Sequence, residues 1–535
     1  MNKKIKVGIS SCLLGMNTRY DGRHKLDTYL KDKLGHLVEW IPVCPETECG
    51  LGIPREPMRL TGSPEWSRLV TKNTNIDYTE KMLEWAGGKL ARLEKEGLRG
   101  FIFKSNSPSC GLNSVFSKEG TGIFAKEFIR RFESLPVEDE EKLRDPRIMK
   151  NFLDKVFDFN RHGLYIHMPF CRKKCLYCDF YSVPYFEDLA SSYVSAILKQ
   201  AQELDRDFSS VYIGGGTPSV LSVSLLDKLL AGLKNFVKHD TEFTIEANPE
   251  SLDKEKLGLF IDKGVNRISI GIQSFDDKKL KALGRIHSAK EAIDAITFSK
   301  QSGFKNINID MMFGISGETL GEWQAELAKA VASGTQHISC YSLSYEKDTP
   351  FFRMREKKDI LPLDGEAVAE MYAYTMEQLP KNGFEHYEVS NFSKPGFECV
   401  HNLNYWDNDP YTGLGPTAVS YIGGVRSENV PDAEEYIDRY KKGVNLTSYR
   451  EQLSGVMAAK EAAAVKIRTK TGIDYRWFKN KTGFDFEEME KDSMDELFKD
   501  NLVRYKIDTD TKERTGIQLT ERGFLFSDVV SAAFL

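Results

Sequence analysis

The sequence predicts an α/β protein of several domains: a parallel α/β domain at the N-terminus, an open (β/α)6 barrel in the middle and a small winged-helix-like module at the C-terminus. Two observations lead to this fold class. Short apolar runs alternate with helical patterns over residues 1–345, and such alternation is typical of parallel sheets. Cysteines, glycines and carboxylates follow several of these runs, where the strands of a parallel sheet end and ligands commonly bind.

The composition limits the class of protein. At 535 residues the chain is long for one domain, and we expect roughly three or four. The hydrophobic fraction of 41% and the charged fraction of 29% are ordinary for a globular protein, and the net charge of -5 argues against a nucleic-acid partner. No apolar run is long enough to span a membrane. Nine cysteines without a secretory signal indicate a cytoplasmic location and metal ligation rather than disulfides.

Residues 1–150 form the first predicted domain. Because the carboxyl ends of parallel strands meet at one edge of a sheet, thiols that follow such strands should converge there. The stretch from Leu135 to Asp158, with the acidic cluster Glu138–Glu141, is predicted to be a connector. Three cysteines follow predicted strands: Cys12 follows Lys6–Ser10, Cys44 follows Leu37–Val43, and Cys110 lies in the loop after Phe101–Lys104.

Residues 160–345 form the second predicted domain, the barrel of six parallel strands. Helical patterns such as Leu225–Phe236 and Leu320–Ala332 lie between the strands. In barrels of this type the functional residues sit at the carboxyl ends of the strands. The predicted strands are Leu164–Met168, Val211–Gly214, Phe243–Glu246, Arg267–Ile272, Ile307–Met312 and His337–Leu343.

The last two segments are less regular in sequence. Residues 346–445 are rich in loops and aromatic residues. Residues 450–535 are helical and charged, with a predicted hairpin of Arg504–Asp508 and Gly516–Leu519, and this pattern fits a small winged-helix-like module. Winged helices commonly bind DNA, but acidic and basic residues are mixed here, so we interpret this part as a lid or an interaction module.

The run Cys-Arg-Lys-Lys-Cys-Leu-Tyr-Cys at residues 171–178 is the most informative stretch of the chain. Thiolates from Cys171, Cys175 and Cys178 can bind one [4Fe–4S] cubane and leave its fourth iron open. An open iron can bind an outside molecule, such as the amino and carboxylate groups of S-adenosylmethionine. The alternative is a zinc knuckle, which needs four ligands and usually a second cysteine pair, and the nearby sequence has no such pair.

From Tyr165 to the C-terminus the sequence resembles the radical S-adenosylmethionine family of oxygen-independent coproporphyrinogen III oxidases and their haem-chaperone relatives. The motifs that carry the resemblance are YIHMPFCRKKCLYCDF, YIGGGTPSVL, IEANPES, NRISIGIQSF, LGRIHS, NIDMMFG and HNLNYW. The resemblance implies that Cys171, Cys175 and Cys178 hold the cluster. It also implies a site for S-adenosylmethionine, which Tyr165 contacts and on whose adenine Tyr177 stacks. The backbone of Gly215, Gly216 and Thr217 would lie beside its methionine portion. The residues around this cofactor or a second one would be Glu246, Gln273, Arg285 and Asp310.

Several of these residues also have physical reasons of their own. A glycine run after a strand permits positive φ and close approach of the backbone, although it also suits a plain turn. Glu246 can accept from ribose hydroxyls or an ammonium group, and Arg285 can pair bidentately with a carboxylate; the alternatives are a solvated carboxylate and a surface ion pair. Asp310 lies in an apolar strand, where an unpaired charge is costly, so a functional role is favoured. For His167 and His287 a structural role is the better interpretation.

One position separates the branches of this family. The oxidases carry a further cysteine two residues after the third, where this sequence has Phe180. Phenylalanine there and the HNLNYW motif are the pattern of the haem-chaperone branch, so the resemblance implies haem binding, with a haem-acceptor protein and an electron donor such as a flavodoxin as partners. His401 is a candidate axial haem ligand or a structural loop histidine, and Cys399 is another possible ligand. The alternatives are a coproporphyrinogen III dehydrogenase in porphyrin biosynthesis and a protein that only binds haem.

The first 150 residues resemble a second family, typified by 2-thiouracil desulfidase. The motifs are SSCLLG, RYDG, PVCPE, GLGIPREPMRL and SPSCG. The resemblance implies that Cys12, Cys44 and Cys110 hold a second [4Fe–4S] cluster whose open iron accepts sulfide from a thiocarbonyl substrate, with Glu46 and Ser109 as candidate proton donors. Cys49 is not a ligand in the family pattern, and as a fourth ligand it would close the open iron. Buried thiols at strand ends are the alternative to a cluster.

Overall fold

The computed structural model describes residues 5–35, 38–62, 66–112, 121–132, 135–145, 148–149, 152–153, 156, 162–204, 207–238, 241–453, 455–508 and 512–535. The chain forms two compact units, Met1–Asn160 and Arg161–Leu535. Each unit has its own sheets.

The first unit is built on a four-stranded sheet in which every neighbouring pair is parallel, as the sequence predicted. Its strands run in the order Val38–Val43, Ile5–Ser10, Phe101–Phe103 and Val137–Asp139. A separate antiparallel hairpin consists of Met58–Thr61 and Arg68–Thr71. The helices are Thr28–Leu34, Pro45–Glu48, Thr79–Lys95 and Ile123–Arg131, with 3₁₀ turns at Ser11–Leu14 and Lys142–Arg144.

Both faces of this sheet are buried. Phe101 and Phe103 pack with Phe124 and Phe128 in one core cluster, whereas Ile102 belongs to a second cluster. Alternate residues of a strand point to opposite faces, so the two clusters lie on the two sides of the sheet. Burial of both faces is typical of parallel sheets, and it leaves the strand ends as the edge where polar groups can gather.

The prediction of a connector from Leu135 to Asp158 is wrong for the first part of this stretch. Val137–Asp139 is a strand of the sheet, and the carboxylate of Glu140 is buried beside it. Glu140 accepts hydrogen bonds from the Ser105 N–H at 2.6 Å and from the Ser105 hydroxyl at 2.9 Å, and it forms an ion pair with Lys104. The acidic cluster therefore helps to fix the end of a neighbouring strand, and most of residues 146–158 lie outside the described residues.

The six predicted barrel strands of the second unit are all present, and each is parallel to the next. They are Gly163–Met168, Ser210–Gly215, Glu242–Ala247, Arg267–Gln273, Asn306–Phe313 and His337–Ser342. The helices that cover them are Glu187–Gln202, Val223–Leu233, Lys254–Asp262, Asp277–Ala282, Ala289–Gln301 and Leu320–Ala332. Two of these helices begin at capping boxes, which Ser288 forms with Glu291 and Thr319 forms with Glu322.

Short elements complete the connections of the barrel. The strands Phe170–Cys171 and Val183–Pro184 pair with each other at the base of the first loop. Three 3₁₀ turns follow strands or helices, at Pro218–Val220, Lys234–Phe236 and Pro249–Ser251.

The sheet continues beyond the six strands on both sides, so residues 346–445 are more regular than predicted. Tyr411–Leu414 lies parallel to the first barrel strand, and Val419–Ile422, Val425–Asn429 and Thr447–Gln452 follow it in antiparallel order. On the other side Asn391–Ser393 and Glu385–Glu388 extend the sheet. The helices of this region are Pro350–Glu356, Gly365–Lys381, Val400–Trp406 and Ala433–Lys441.

The C-terminal part contains the predicted hairpin, as Val503–Ile507 and Arg514–Leu519, with Ile473–Asp474 as a third strand. Its helices are Gly455–Lys466, Tyr475–Thr482, Phe486–Met489, Lys491–Lys499, Glu521–Leu525 and Ser527–Ala532. The assignment of a winged helix stays a prediction. Among the residues that the structure describes, no helix has the length and apolar character needed to cross a membrane.

Candidate functional site

Cys171, Cys175 and Cys178 lie on the loop that follows the first barrel strand. The base of this loop is fixed because Cys171 and the residue before it pair with Val183–Pro184. Within the loop, the Cys178 N–H donates to the Cys175 carbonyl oxygen at 3.4 Å. Sγ of Cys171 lies 3.5 Å from Oγ1 of Thr217 at the end of the second strand. All three thiols are partly accessible, so the loop presents them at the carboxyl edge of the sheet.

The three thiols influence one another electrostatically. Burial raises the pKa of Cys171 and raises the pKa of Cys178 to about 11, and in both cases the negative charge of Cys175 adds to the increase. Thiols this close together oppose one another's ionisation, and a positive metal centre removes that cost. The donor set is therefore suited to a metal cluster.

The described residues contain no group of three or more His, Cys, Asp or Glu side chains arranged to hold a metal ion. A zinc knuckle requires such a group, because its four ligands converge on one ion. Each thiolate of a [4Fe–4S] cubane binds a different iron, so three sulfurs on one loop need not converge on a single point. Three thiolates on one loop are therefore compatible with a cluster.

Arg285 and Asn248 connect the cysteine loop to the strand ends. Nη1 of Arg285 donates to Sγ of Cys175 at 3.4 Å, and Nη2 donates to Oδ1 of Asn248 and to the Gly271 carbonyl oxygen, both at 2.7 Å. Asn248 donates in turn to Oγ1 of Thr217 at 2.9 Å. These contacts hold Arg285 beside the cysteine loop. Sequence reasoning overlooked Asn248, although it stands in the IEANPES motif.

Glu246 is held from two sides at the end of the third strand. Its Oε1 accepts a hydrogen bond from the Tyr212 hydroxyl at 2.6 Å, and its Oε2 accepts one from the Gly215 N–H at 3.0 Å. Burial raises the pKa of Glu246 to about 7. A Cβ on Gly214 would lie 2.7 Å from the carboxyl carbon of Glu246, and Gly215 adopts a φ of 102°. The glycine run therefore serves close packing as well as chain reversal.

The buried carboxylate of Asp310, on the fifth strand, accepts hydrogen bonds from neighbouring strands and from its own. It accepts from the Ser269 hydroxyl at 3.1 Å and from the Asn308 amide at 2.8 Å, and burial raises its pKa. Nδ1 of His337 donates to Oδ1 of Asn308 at 2.6 Å, and Nε2 of His337 lies 2.8 Å from the Tyr387 hydroxyl. The interior of the barrel thus contains a connected polar network around this carboxylate.

The other predicted cofactor residues occupy neighbouring strands and loops. The Tyr165 hydroxyl lies 3.1 Å from Nδ1 of His167, whose Nε2 lies 3.0 Å from a backbone carbonyl oxygen of the cysteine loop. Gln273 ends the fourth strand, buried and with a φ of 63°. The Gly216 N–H donates to a carbonyl oxygen of the first strand at 2.9 Å. Tyr177 packs against a separate apolar cluster that contains Leu283, Met312 of the fifth strand and Phe351.

His401 lies at the amino ends of the barrel strands, the end opposite to the cysteine loop. Its Nδ1 is 2.8 Å from the Ser210 hydroxyl and its Nε2 is 2.9 Å from the Tyr405 hydroxyl, and burial lowers its pKa to about 3. Both ring nitrogens are occupied, so the structural alternative fits this geometry better than haem ligation. Cys399 is fully buried, and its thiol donates to Glu242 at 3.4 Å, which gives a ligand no access to it.

In the first unit, Cys12, Cys44 and Cys110 follow three adjacent parallel strands. Burial raises the pKa of Cys12 to about 11 and raises the pKa of Cys110 as well, and the charge of Cys44 is the next cause in both cases. Because the three strands are adjacent and parallel, their carboxyl ends lie at one edge of the sheet, and the influence of Cys44 on the other two thiols is consistent with that placement.

Glu46, Ser109 and Arg55 form a hydrogen-bonded group beside these thiols. The Ser109 hydroxyl donates to Oε1 of Glu46 at 2.9 Å, and Oε2 of Glu46 accepts from Nε of Arg55 at 2.8 Å and from its Nη2 at 2.5 Å. Nη2 of Arg55 also donates to the Thr18 carbonyl oxygen at 3.0 Å, which accepts from the Cys44 thiol at 3.7 Å. Sequence reasoning named Glu46 and Ser109 but overlooked Arg55, which stands in the motif GLGIPREPMRL.

Cys49 belongs to an apolar cluster that contains none of the other three thiols. It packs with residues that include Met58, Leu69 and Met82, and its thiol donates to the Glu46 carbonyl oxygen at 3.4 Å. Burial raises the pKa of Cys49 to about 11. A thiol in such a setting behaves as a core residue, so the geometry gives no support to Cys49 as a fourth ligand.

Comparisons with known proteins agree with both halves of this description. A family model described as 2-thiouracil desulfurase matches residues 7–140, and one described as the Radical SAM superfamily matches residues 165–330. Heme chaperone HemW of Lactococcus lactis is 35% identical over 380 residues, which cover 70% of this chain and 97% of the relative. Heme chaperone HemW of Bacillus subtilis is 34% identical over 383 residues, which cover 69% of this chain and 98% of the relative.

A solved structure shows the fold of the second unit. Coproporphyrinogen III oxidase HemN of Escherichia coli, described as a radical SAM enzyme, aligns with a TM-score of 0.61 and 20% sequence identity, covering 70% of this chain and 90% of its own. At that identity the likeness extends to the fold alone.

Proposed function

The chain belongs to the HemW family of haem chaperones within the radical S-adenosylmethionine proteins, and from this we propose that it binds haem and passes it to an acceptor protein. The observation that supports the chaperone role most directly is Phe180. In the coproporphyrinogen oxidases that the sequence resembles, a further cysteine stands two residues after Cys178, and here that position holds a phenylalanine with 61% of its surface exposed. Decarboxylation of coproporphyrinogen III is therefore not the activity that we propose.

We propose that Cys171, Cys175 and Cys178 hold the [4Fe–4S] cluster that the radical S-adenosylmethionine family uses. When bound, the cluster supplies the electron that cleaves the sulfonium bond of S-adenosylmethionine. Arg285 would keep Cys175 oriented through its contact at 3.4 Å, and Thr217 would do the same for Cys171. A flavodoxin-like carrier is the proposed source of the electron.

The strand ends next to this loop are the proposed site for S-adenosylmethionine. Glu246, oriented by Tyr212 and by the Gly215 N–H, would accept hydrogen bonds from the ribose hydroxyls or the ammonium group. The remaining proposed contacts are Tyr165, Tyr177, Gly216, Thr217, Gln273, Arg285 and Asp310.

For the first unit we propose desulfuration of a thiocarbonyl compound, with Cys12, Cys44 and Cys110 as ligands of a second [4Fe–4S] cluster. When bound, this cluster supplies an open iron that accepts sulfide. The hydrogen bond between Ser109 and Glu46 supports the proposal, because a protonated Glu46 would return a proton to the serine oxygen once the serine had given its own proton to the substrate. Arg55 would keep the other carboxylate oxygen of Glu46 occupied, so that only one oxygen faces Ser109.

Anaerobic reconstitution tests the two cluster assignments. We expect about eight irons per chain in the wild type and about four in Cys175→Ala, because each cubane contains four. The same variant should form no 5′-deoxyadenosine from S-adenosylmethionine under dithionite. If the variant keeps the iron content of the wild type and forms as much 5′-deoxyadenosine, Cys175 is not a cluster ligand.

A separate experiment tests the chaperone role. Haem added to the reconstituted chain should give the visible spectrum of a bound complex, whereas coproporphyrinogen III with S-adenosylmethionine and reductant should show no multiple turnover. Repeated conversion to protoporphyrinogen IX would overturn the proposal, and so would the lack of a bound haem spectrum.

A further inference from the structure

A groove of about 1420 Å³ opens on the second unit, away from the sites described above. Its walls are the helix Gly365–Lys381, the end strand Glu385–Glu388 and the C-terminal helix Glu521–Leu525, and residues 469–471 contribute a further side. None of the proposed cluster or cofactor residues lines it. The groove is therefore separate from the residues proposed to hold the clusters and S-adenosylmethionine.

The floor of this groove is apolar and aromatic. The rings of His386 and Phe524 lie with their centroids 4.5 Å apart, and the ammonium group of Lys470 lies 5.2 Å from the centroid of the Phe524 ring. Large side chains on the floor and walls are Tyr374, Met376, Phe384, Leu403, Phe524 and Leu525. Pockets for small molecules commonly enclose about 300–1000 Å³, so this groove has room for a larger occupant.

Carboxylates outnumber cations around the groove. Five glutamates line it, at positions 370, 377, 385, 398 and 521, against two cations, Lys470 and Arg522. In the part of the chain that the structure describes, Glu370, Glu385 and Glu521 are exposed and form no ion pair. An anionic occupant, such as a porphyrin carrying propionates or an acidic lipid surface, would be repelled, whereas a basic occupant would be attracted.

We propose that this groove docks a basic, amphipathic segment of a partner protein. Lysine or arginine side chains of the segment would face Glu370, Glu385 and Glu521. Its large apolar side chains would pack on the partly exposed side chains of Tyr374, Met376 and Leu525. Laying the apolar face of an amphipathic segment into an apolar groove is a common mode of peptide recognition. The proposal rests on the groove alone and is independent of the haem function.

The test uses the full chain and two labelled synthetic peptides. One peptide carries lysines on one helical face and leucines with a tryptophan on the other; its match carries glutamate at every lysine position. Fluorescence anisotropy should detect binding of the lysine peptide and none of the glutamate peptide. The double reversal Glu370→Lys with Glu521→Lys should weaken binding of the lysine peptide by at least about tenfold, or about 1.4 kcal/mol.

The matched control reverses Glu434→Lys and Glu496→Lys, which are exposed on helices outside the groove and change the net charge equally. The control should bind like the wild type; equal weakening in both double variants would mean general charge attraction and would overturn the proposal. Ala373→Arg, at an exposed position on the groove wall, should block binding, and unchanged affinity there would also overturn it. Displacement of the peptide by spermine at similar affinity would make the groove a site for small cations instead.

Discussion

The burial of Glu246 leads to a prediction about the pH dependence of stability, and its magnitude follows from the pKa of this carboxyl group. Burial raises its pKa from an ordinary 4.5 to about 7, so between these values the folded chain keeps a proton that the unfolded chain has released. Stability is therefore lost as the pH rises through the folded pKa. A shift of this size corresponds to about 3 kcal/mol. Glu246→Gln stays neutral at every pH, so its stability relative to the wild type should increase by up to that amount between about pH 5 and about pH 8.

The measurement is denaturant unfolding of the cluster-free full chain and of the variant across this pH range. Burial also raises the pKa of Glu388 to about 7 and lowers that of His386 to about 4, but both groups are present in both proteins and cancel in the difference. Glu434→Gln, at an exposed position, is the control and should show a constant difference. If the curve of Glu246→Gln runs parallel to that of the wild type, the carboxyl is not protonated by burial and the reasoning is refuted.

Three further outcomes are expected. Arg285→Gln should release iron to a chelator about tenfold faster than the wild type, because Arg285 holds a proposed cluster ligand, and equal rates would contradict that role. Gly214→Ala should destabilise the second unit by about 1–3 kcal/mol in denaturant unfolding, since its methyl group has no room, whereas Gly321→Ala, in open space, should not. Cys110→Ala should remove the cluster signal of the first unit from the electron paramagnetic resonance spectrum and Cys49→Ala should retain it; survival of the signal in Cys110→Ala would disprove the convergence of its ligands.

The parts of the fold that the sequence predicts are those with a strong local signal. The six barrel strands are continuous apolar runs between helical patterns, and such runs are typical of strands buried on both faces. Tyr411–Leu414 and Val419–Ile422 are short and contain glycine or serine, so nothing local marks them as strands. Their pairing depends on the distant first barrel strand. The burial of Glu140 likewise depends on residues that are distant in sequence, Lys104 and Ser105, rather than on its acidic neighbours.

The residues of the candidate sites also fall into two groups, those that the sequence predicts and those that it does not. Cysteine spacing and strand ends predict the thiols, because ligand chemistry needs particular residue types at particular places. Arg55 and Asn248 escape such reasoning, because each acts by holding another residue, Glu46 and Arg285 respectively. Both stand in quoted motifs, and an arginine or asparagine within a motif of ligands and carboxylates is the signal that could identify them.

The HNLNYW motif shows how a family pattern can carry a structural role. Its helix begins where the N–H groups of Val400 and His401 donate to the carboxylate of Glu242 at 3.0 and 3.1 Å, a favourable position for negative charge. The His401 ring then bonds to Ser210, and a Cβ on Gly163 would lie only 3.0 Å from that ring. The motif therefore locks a helix onto the amino ends of the barrel strands. Because ligands of parallel sheets bind at the opposite edge, the presence of a histidine in this motif does not by itself assign haem ligation to it.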